Sequence, residues 1–165
     1  MARSWRTAGS AIEPVPRVAI ALGSNLGDRA SHLAFAVNHL RTLLTELRVS
    51  AFIDTDPVGV GAQPVFLNGA AAGFTDLSAQ QLLGVLLALE AERGRDRPFD
   101  GAPRTLDLDL VLYGTAIIDE PGLRVPHPRF RDRAFVLGPL AQIAGEMQDP
   151  VSRLTVRELW ERLRV

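Results

Sequence analysis

The chain has 165 residues, 47% of them hydrophobic, with 18 basic residues against 19 acidic ones and a net charge of -1. That is apolar content for one globular domain with a sizeable core, and the balanced charge supplies no overall field for nucleic acid or a membrane surface. All 18 basic residues are Arg and there is no Lys or Cys, which excludes a P-loop, Schiff-base chemistry, disulfides, thiolate nucleophiles and Cys-based zinc sites.

Residues 1–16 lack the apolar segment of a secretory signal, and no apolar run is long enough to span a bilayer. They are expected to form a flexible extension before a single domain over 17–165, a cytoplasmic protein. A buried first strand is expected over 17–23, ending in Gly23-Ser24-Asn25-Leu26-Gly27-Asp28, with Asp28 as helix N-cap. The glycines of that turn do not make Gly-x-Gly-x-x-Gly, so it is read as a tight strand-to-helix turn. Leu33, Ala36, Val37, Leu40, Leu43, Leu44 and Leu47 recur at helical spacing and predict a first helix over 30–47. A second strand is predicted over 49–55. The Pro- and Gly-rich stretch 56–64 then shapes a loop, and a third strand follows over 66–74. Asn68 in that strand either reads a flat heterocycle beside Phe66 or bonds to local backbone. Ser78 caps a second helix running to about Glu92 and stopping at Gly94.

The segment from Arg93 to Arg104 carries four Arg and leads directly into Thr105-Leu106-Asp107-Leu108-Asp109-Leu110-Val111-Leu112. In a β-strand this alternation puts Asp107 and Asp109 on one face, roughly 7 Å apart, and the leucines through Leu112 on the other. Such a pair suits divalent ions bridged by phosphate, with Arg104 placed to neutralise phosphate oxygens; a solvated amphipathic edge strand is the plain alternative. A hairpin partner over 115–118, a Pro-framed His127 near Arg129, Arg131 and Arg133, a helix over 134–143 interrupted near Gly138-Pro139, and a terminal helix over 156–164 complete the chain.

Four stretches in order, Ala21-Leu22-Gly23-Ser24-Asn25-Leu26-Gly27, Phe66-Leu67-Asn68-Gly69-Ala70, Pro103-Arg104-Thr105-Leu106-Asp107-Leu108-Asp109, and Val125-Pro126-His127-Pro128 with Arg133-Ala134-Phe135-Val136-Leu137, carry a resemblance. Over residues 17–150 the chain resembles the 6-hydroxymethyl-7,8-dihydropterin pyrophosphokinase family of folate biosynthesis. The resemblance implies an α+β fold: a ferredoxin-like βαββαβ core, an antiparallel sheet with helices packed on it, and C-terminal helical additions. It implies transfer of the β,γ-diphosphate of ATP to the hydroxymethyl group of 6-hydroxymethyl-7,8-dihydropterin, with release of AMP. By the same resemblance Asp107 and Asp109 bind two Mg²⁺ ions, and Arg95 and Arg104 are the mobile-loop arginines that complete the catalytic set. Glu90, Leu110, His127 and Arg133 lie with them on the ATP side. Asn68 reads the pterin ring, Phe66 and Phe135 sandwich it, and Thr55, Asp56 and Val58 finish its polar edge. Its partners would be these two small molecules alone, with no nucleic acid or membrane, and the chain a monomer.

The sequence departs from the family pattern in places. Gly101-Ala102-Pro103-Arg104 stands where Trp-Gly-Pro-Arg is common, the arginine loop is slightly shorter, Pro128 replaces an aromatic residue, and Phe66 stands where Tyr can occur. Two other readings of the Asp pair remain at this point: nucleotidyl transfer with release of pyrophosphate, and a metal-dependent nucleotide sensor without turnover.

Overall fold

The computed structural model describes residues 15–56, 64–94 and 103–164. Strand β1 (Arg17–Ser24) is central. It leads into α1 (Arg29–Leu43), then β2 (Thr45–Val49), β3 (Ile53–Thr55), β4 (Phe66–Phe74), α2 (Ala79–Glu92) and β5 (Asp107–Tyr113). The main sheet runs β2-β4-β1-β5, with β3 also on β4, and its pairings are antiparallel. With β2 and β3, both paired to β4, together in the place of one strand, this is the βαββαβ arrangement of a ferredoxin-like fold. A small hairpin, β6 (Ile118–Glu120) with β7 (Leu123–Val125), and helices α3 (Ala134–Ala144) and α4 (Val156–Arg164) are added after the core.

Each face of the sheet has its own apolar layer. Val18, Ile20 and Leu22 of β1 and Leu108 and Leu110 of β5 pack under α1 and α2 through Leu33, Leu40, Leu82 and Leu86. On the opposite face Ala19, Ala21, Ala70 and Ala72 form a small-residue floor for Val136, Leu137 and Leu140 of α3 and Leu159 of α4. Local signals set the helix starts. Asp28 accepts the Ser31 N–H at 3.2 Å, and Ser78 and Gln81 form a reciprocal capping box on α2. Thr155 and Glu158 do the same for α4. Gly94, at φ +77°, follows the end of α2. Among the described residues no helix is long and apolar enough to cross a membrane.

Several elements differ from expectation. The first helix ends at Leu43 rather than 47, because Leu44 turns extended and Thr45–Val49 joins β4 as β2. Gly73 permits that approach, since a Cβ there would lie 3.0 Å from both Leu44 Cβ and the Thr45 carbonyl. The helical spacing of Leu43, Leu44 and Leu47 is thus overridden by strand pairing. The expected strand over 49–55 is two strands. Ser50 breaks the ladder by accepting the Ala70 N–H with its own hydroxyl at 2.9 Å. A one-residue bulge at Val111 shifts the β1–β5 register, so Leu112 pairs with Ala19 and joins the α3 face instead of lying with Leu108 and Leu110. Residues 115–118 do not pair back on β5; Ile118 pairs with Val125 across a turn at Gly122, φ +81°. Helix α3 passes through Pro139 unbroken. Pro139 is buried there, and the Trp160 ring lies 3.2 Å from where a Gly138 Cβ would be. Of residues 1–16 only Val15 and Pro16 are described, and the Pro16 carbonyl accepts the Thr75 N–H at 3.1 Å.

Below α3, Asp149 is fully buried and accepts two bonds from Arg131, at 2.6 and 2.9 Å, with others from Ser152 and the Val151 N–H. Burial opposes its ionisation, but those bonds outweigh the opposition and hold the carboxyl down at about 2. Asp149→Asn should therefore cost roughly 2–3 kcal/mol in urea unfolding at pH 7. Because the folded value lies below the unfolded 3.8, the contribution is whole above that pH and is lost as pH falls towards 2. Equal stability of the two proteins at pH 7 would contradict this.

Candidate functional site

The floor of the site is set by register. Gly23 of β1 lies opposite Asn68 on one side and Asp107 on the other; in the next row on that face Ala21 lies between Ala70 and Asp109. Two strand spacings, roughly 10 Å, therefore separate Asn68 from Asp107, with only a glycine between them. A Cβ on Gly23 would stand 2.8 Å from Asn68 Oδ1 and 3.7 Å from the Phe66 ring. The missing side chain keeps the floor open.

Over it lies a cleft of about 750 Å³. Phe66, Asn68, Thr55 and Asp56 wall one end, Arg104, Asp107 and Asp109 the other, and Arg133 and Phe135 close it from the start of α3. Asn68 is buried, and its amide nitrogen donates to Thr55 Oγ1. The Arg133 guanidinium sits 5.6 Å from the centre of the Phe135 ring, a cation-π contact. Arg104 reaches Asp107 at 3.4 Å, while its Nε is a buried donor without a hydrogen-bond partner among the described residues. A buried guanidinium nitrogen left over in this way suits an anionic oxygen brought in by a ligand.

β5 is the edge strand of the sheet, and around that edge a second cleft of about 650 Å³ reaches the same Asp107 and Asp109. Its walls include Leu83, Leu87 and Glu90 of α2, Leu110 of β5, and Arg124 and His127. Glu90 is 2% exposed, and its Oε2 accepts the Leu108 N–H at 2.7 Å, satisfying an edge-strand donor and pinning α2 to β5. His127 is fixed at both ends: its backbone N–H donates to the Val111 carbonyl at 2.9 Å, and its Nδ1 accepts the Arg129 N–H at 3.1 Å. The ring's proton is thereby assigned to Nε2. Burial, and then the nearby Arg133, lower its pKa to about 4 against an opposing pull from Asp107, so the imidazole is neutral at pH 7.

The structure thus brings Thr55, Asp56, Phe66, Asn68, Arg104, Asp107, Asp109, Arg133 and Phe135 into one cleft, and Glu90, Leu110 and His127 into a second that shares the Asp pair. Val58 and Arg95 lie outside the described residues. Arg131, grouped by sequence with Arg129 and Arg133, is drawn away into the ion pair with Asp149, whereas Arg129 and Arg133 face the first cleft. Arg124 and Asp132 also line these clefts and were not singled out by sequence. The buried-exposed-buried alternation of Leu123-Arg124-Val125 marks Arg124 as outward-facing; Asp132 carries no comparable signal.

The donor set of Asp107 and Asp109 fits Mg²⁺. Among the described residues no group of three His, Asp or Glu side chains is placed to cage an ion. A pair of carboxylates is what Mg²⁺ takes when phosphates and waters fill the rest of its shell.

Comparison with known proteins follows the same lines. A family model described as 7,8-dihydro-6-hydroxymethylpterin-pyrophosphokinase matches residues 19–145. The chain is 43% identical over 142 residues to the 2-amino-4-hydroxy-6-hydroxymethyldihydropteridine pyrophosphokinase of Pseudomonas aeruginosa, covering 84% of this chain and 87% of that one. It is 44% identical over 131 residues to the protein of the same name from Bacillus subtilis, covering 78% of each. It also matches a folic acid synthesis protein of Pneumocystis carinii at 37% identity, with 88% of this chain but only 20% of that longer one covered. Among solved structures, wild-type Plasmodium falciparum HPPK-DHPS superposes with TM-score 0.69 at 13% identity, over 90% of this chain and 45% of that one, a likeness of fold.

In an NMR titration of the imidazole, His127 should change charge near pH 4, and Arg133→Ala should move that midpoint up. The folded value lies below the unfolded 6.5. Neutral His127 therefore contributes its full stability above 6.5 and loses it as pH falls towards 4. A midpoint near 6.5 in the folded chain would contradict the burial argument.

Proposed function

This chain belongs to the 7,8-dihydro-6-hydroxymethylpterin-pyrophosphokinase family, and we propose that it transfers the β,γ-diphosphate of ATP to the hydroxymethyl oxygen of 6-hydroxymethyl-7,8-dihydropterin, releasing AMP, in folate biosynthesis. The observation that carries this reading is the Asp107 and Asp109 pair at the seam of two clefts. The first cleft has room and chemistry for the pterin: Phe66 and Phe135 for the faces of a flat ring, and Asn68 with Thr55 and Asp56 for its polar edge. The second takes the nucleotide, with apolar Leu83, Leu87 and Leu110 for the base and neutral His127 as a donor to phosphate. Val58 and Arg95 belong to these two sets on family resemblance.

The reacting groups meet over Gly23. The hydroxymethyl oxygen bonds to the β-phosphorus as the bond from that phosphorus to the α,β-bridging oxygen breaks, AMP leaves, and the hydroxyl proton passes to water. Such a loose transfer depends on positioning and charge neutralisation more than on a base. Arg104, whose Nε has no hydrogen-bond partner among the described residues, offers its guanidinium to the phosphate oxygens, and Arg133 lies across the cleft with its charge held by the Phe135 ring. Mg²⁺, two ions on this reading, would be held by Asp107 and Asp109 and would supply Lewis-acid neutralisation of the phosphate charge.

With ATP, Mg²⁺ and the pterin supplied, Asp107→Ala and Asp109→Ala should each lower the rate of AMP formation on the order of a hundredfold or more. A double variant that keeps most of its turnover would contradict the assignment. Gly23→Ala should act differently. Its methyl group displaces the Asn68 amide, so KM for the pterin should rise about tenfold while KM for ATP changes little; an unchanged pterin KM would remove Asn68 from the ring's polar edge.

A further inference from the structure

The turn after β1 does more than connect a strand to a helix. Asn25 is fully buried there. Its backbone N–H donates to the Arg104 carbonyl at 3.0 Å, and its Oδ1 accepts the Arg104 N–H at 2.7 Å. Both backbone groups of Arg104 are thereby occupied by one residue, 79 positions away in sequence. On its other arm, Asn25 Nδ2 donates to the Pro64 carbonyl at 3.2 Å, two residues before Phe66. The orientation of the amide is dictated by its partners, since an N–H needs the oxygen and a C=O needs the nitrogen.

We propose that Asn25 is a positioning residue for the diphosphate transfer, holding Arg104 over the Asp pair with its amide oxygen and the start of the ring-reading strand with its amide nitrogen. Arg104 lies outside any helix or strand, so its side chain can aim at phosphate only as well as its backbone is held. Asn25 supplies that hold from the position directly after the rigid central strand, which ends at Ser24. Because the same side chain grips Pro64, the cation for the phosphates and the strand bearing Phe66 and Asn68 are referenced to one point. Asparagine is the residue that does both: Asp keeps the acceptor and loses the donor, and Ala loses both.

The inference rests on the diphosphate-transfer reading, so the test carries a readout that does not. Amide hydrogen exchange of Arg104 is followed by NMR in the unaltered chain, Asn25→Ala and Asn25→Asp, alongside kcat, both KM values and thermal melting. In Asn25→Ala the Arg104 amide should lose its protection, and kcat should fall on the order of ten- to a hundredfold. Asn25→Asp should keep the Arg104 amide protected and recover most of that kcat, while raising KM for the pterin through loss of the Pro64 bond. Unchanged exchange and kcat in Asn25→Ala would overturn the proposal, as would an Asn25→Asp variant as slow as Asn25→Ala at equal melting temperature. If the unaltered chain forms no AMP, the transfer reading fails by itself, and the exchange data alone decide whether Asn25 holds Arg104.

Discussion

The position of β1 between β4 and β5 is the constraint on which everything else in the site depends. Its register puts Asn68, Gly23 and Asp107 in one row across the sheet, with Ala70, Ala21 and Asp109 in the next. Pleating sends these residues to one face, and strand spacing fixes their separation. A shift of one residue in either ladder would send the Asp pair or the Asn to the opposite face, among the leucines under α1 and α2. The hydrophobic layers therefore specify the site. Leu108 and Leu110 must be buried on one side, so Asp107 and Asp109 must stand on the other.

The two faces of β5 also explain how one pair of carboxylates serves two clefts. An interior strand would separate them, but β5 is at the edge, and the space beside α2 and β7 reaches around it. Glu90 keeps that edge from being a free ladder by taking the Leu108 N–H. The Arg131–Asp149 pair anchors the segment between Arg129 and Arg133 from below, leaving those two guanidiniums on the cleft side. Site geometry and core packing are here the same set of contacts seen from two directions.

Much of this was legible in the sequence because the signals were local or periodic. The alternation over Asp107 to Leu110, the cap at Ser78, and the third strand with Asn68 and Phe66 on one face all follow from side-chain period and capping chemistry. What was not legible depends on partners distant in sequence. The end of α1 at Leu43 is decided by Gly73 and β4, the flip of Leu112 by a bulge against Ala19, and the fate of Arg131 by Asp149. The turn at Asn25 reads as punctuation until Arg104 is folded against it. Spacing alone could not tell which of the three arginines Arg129, Arg131 and Arg133 would face a ligand.

The most direct test of the account is a single-turnover quench with ATP labelled, in separate experiments, at the α- and the γ-phosphorus, in the presence of Mg²⁺ and 6-hydroxymethyl-7,8-dihydropterin. Attack at the β-phosphorus over the Asp pair predicts that the γ label moves onto the pterin while the α label is recovered entirely in AMP. Recovery of the α label on the pterin, with pyrophosphate released, would place the attack one phosphorus away and contradict it.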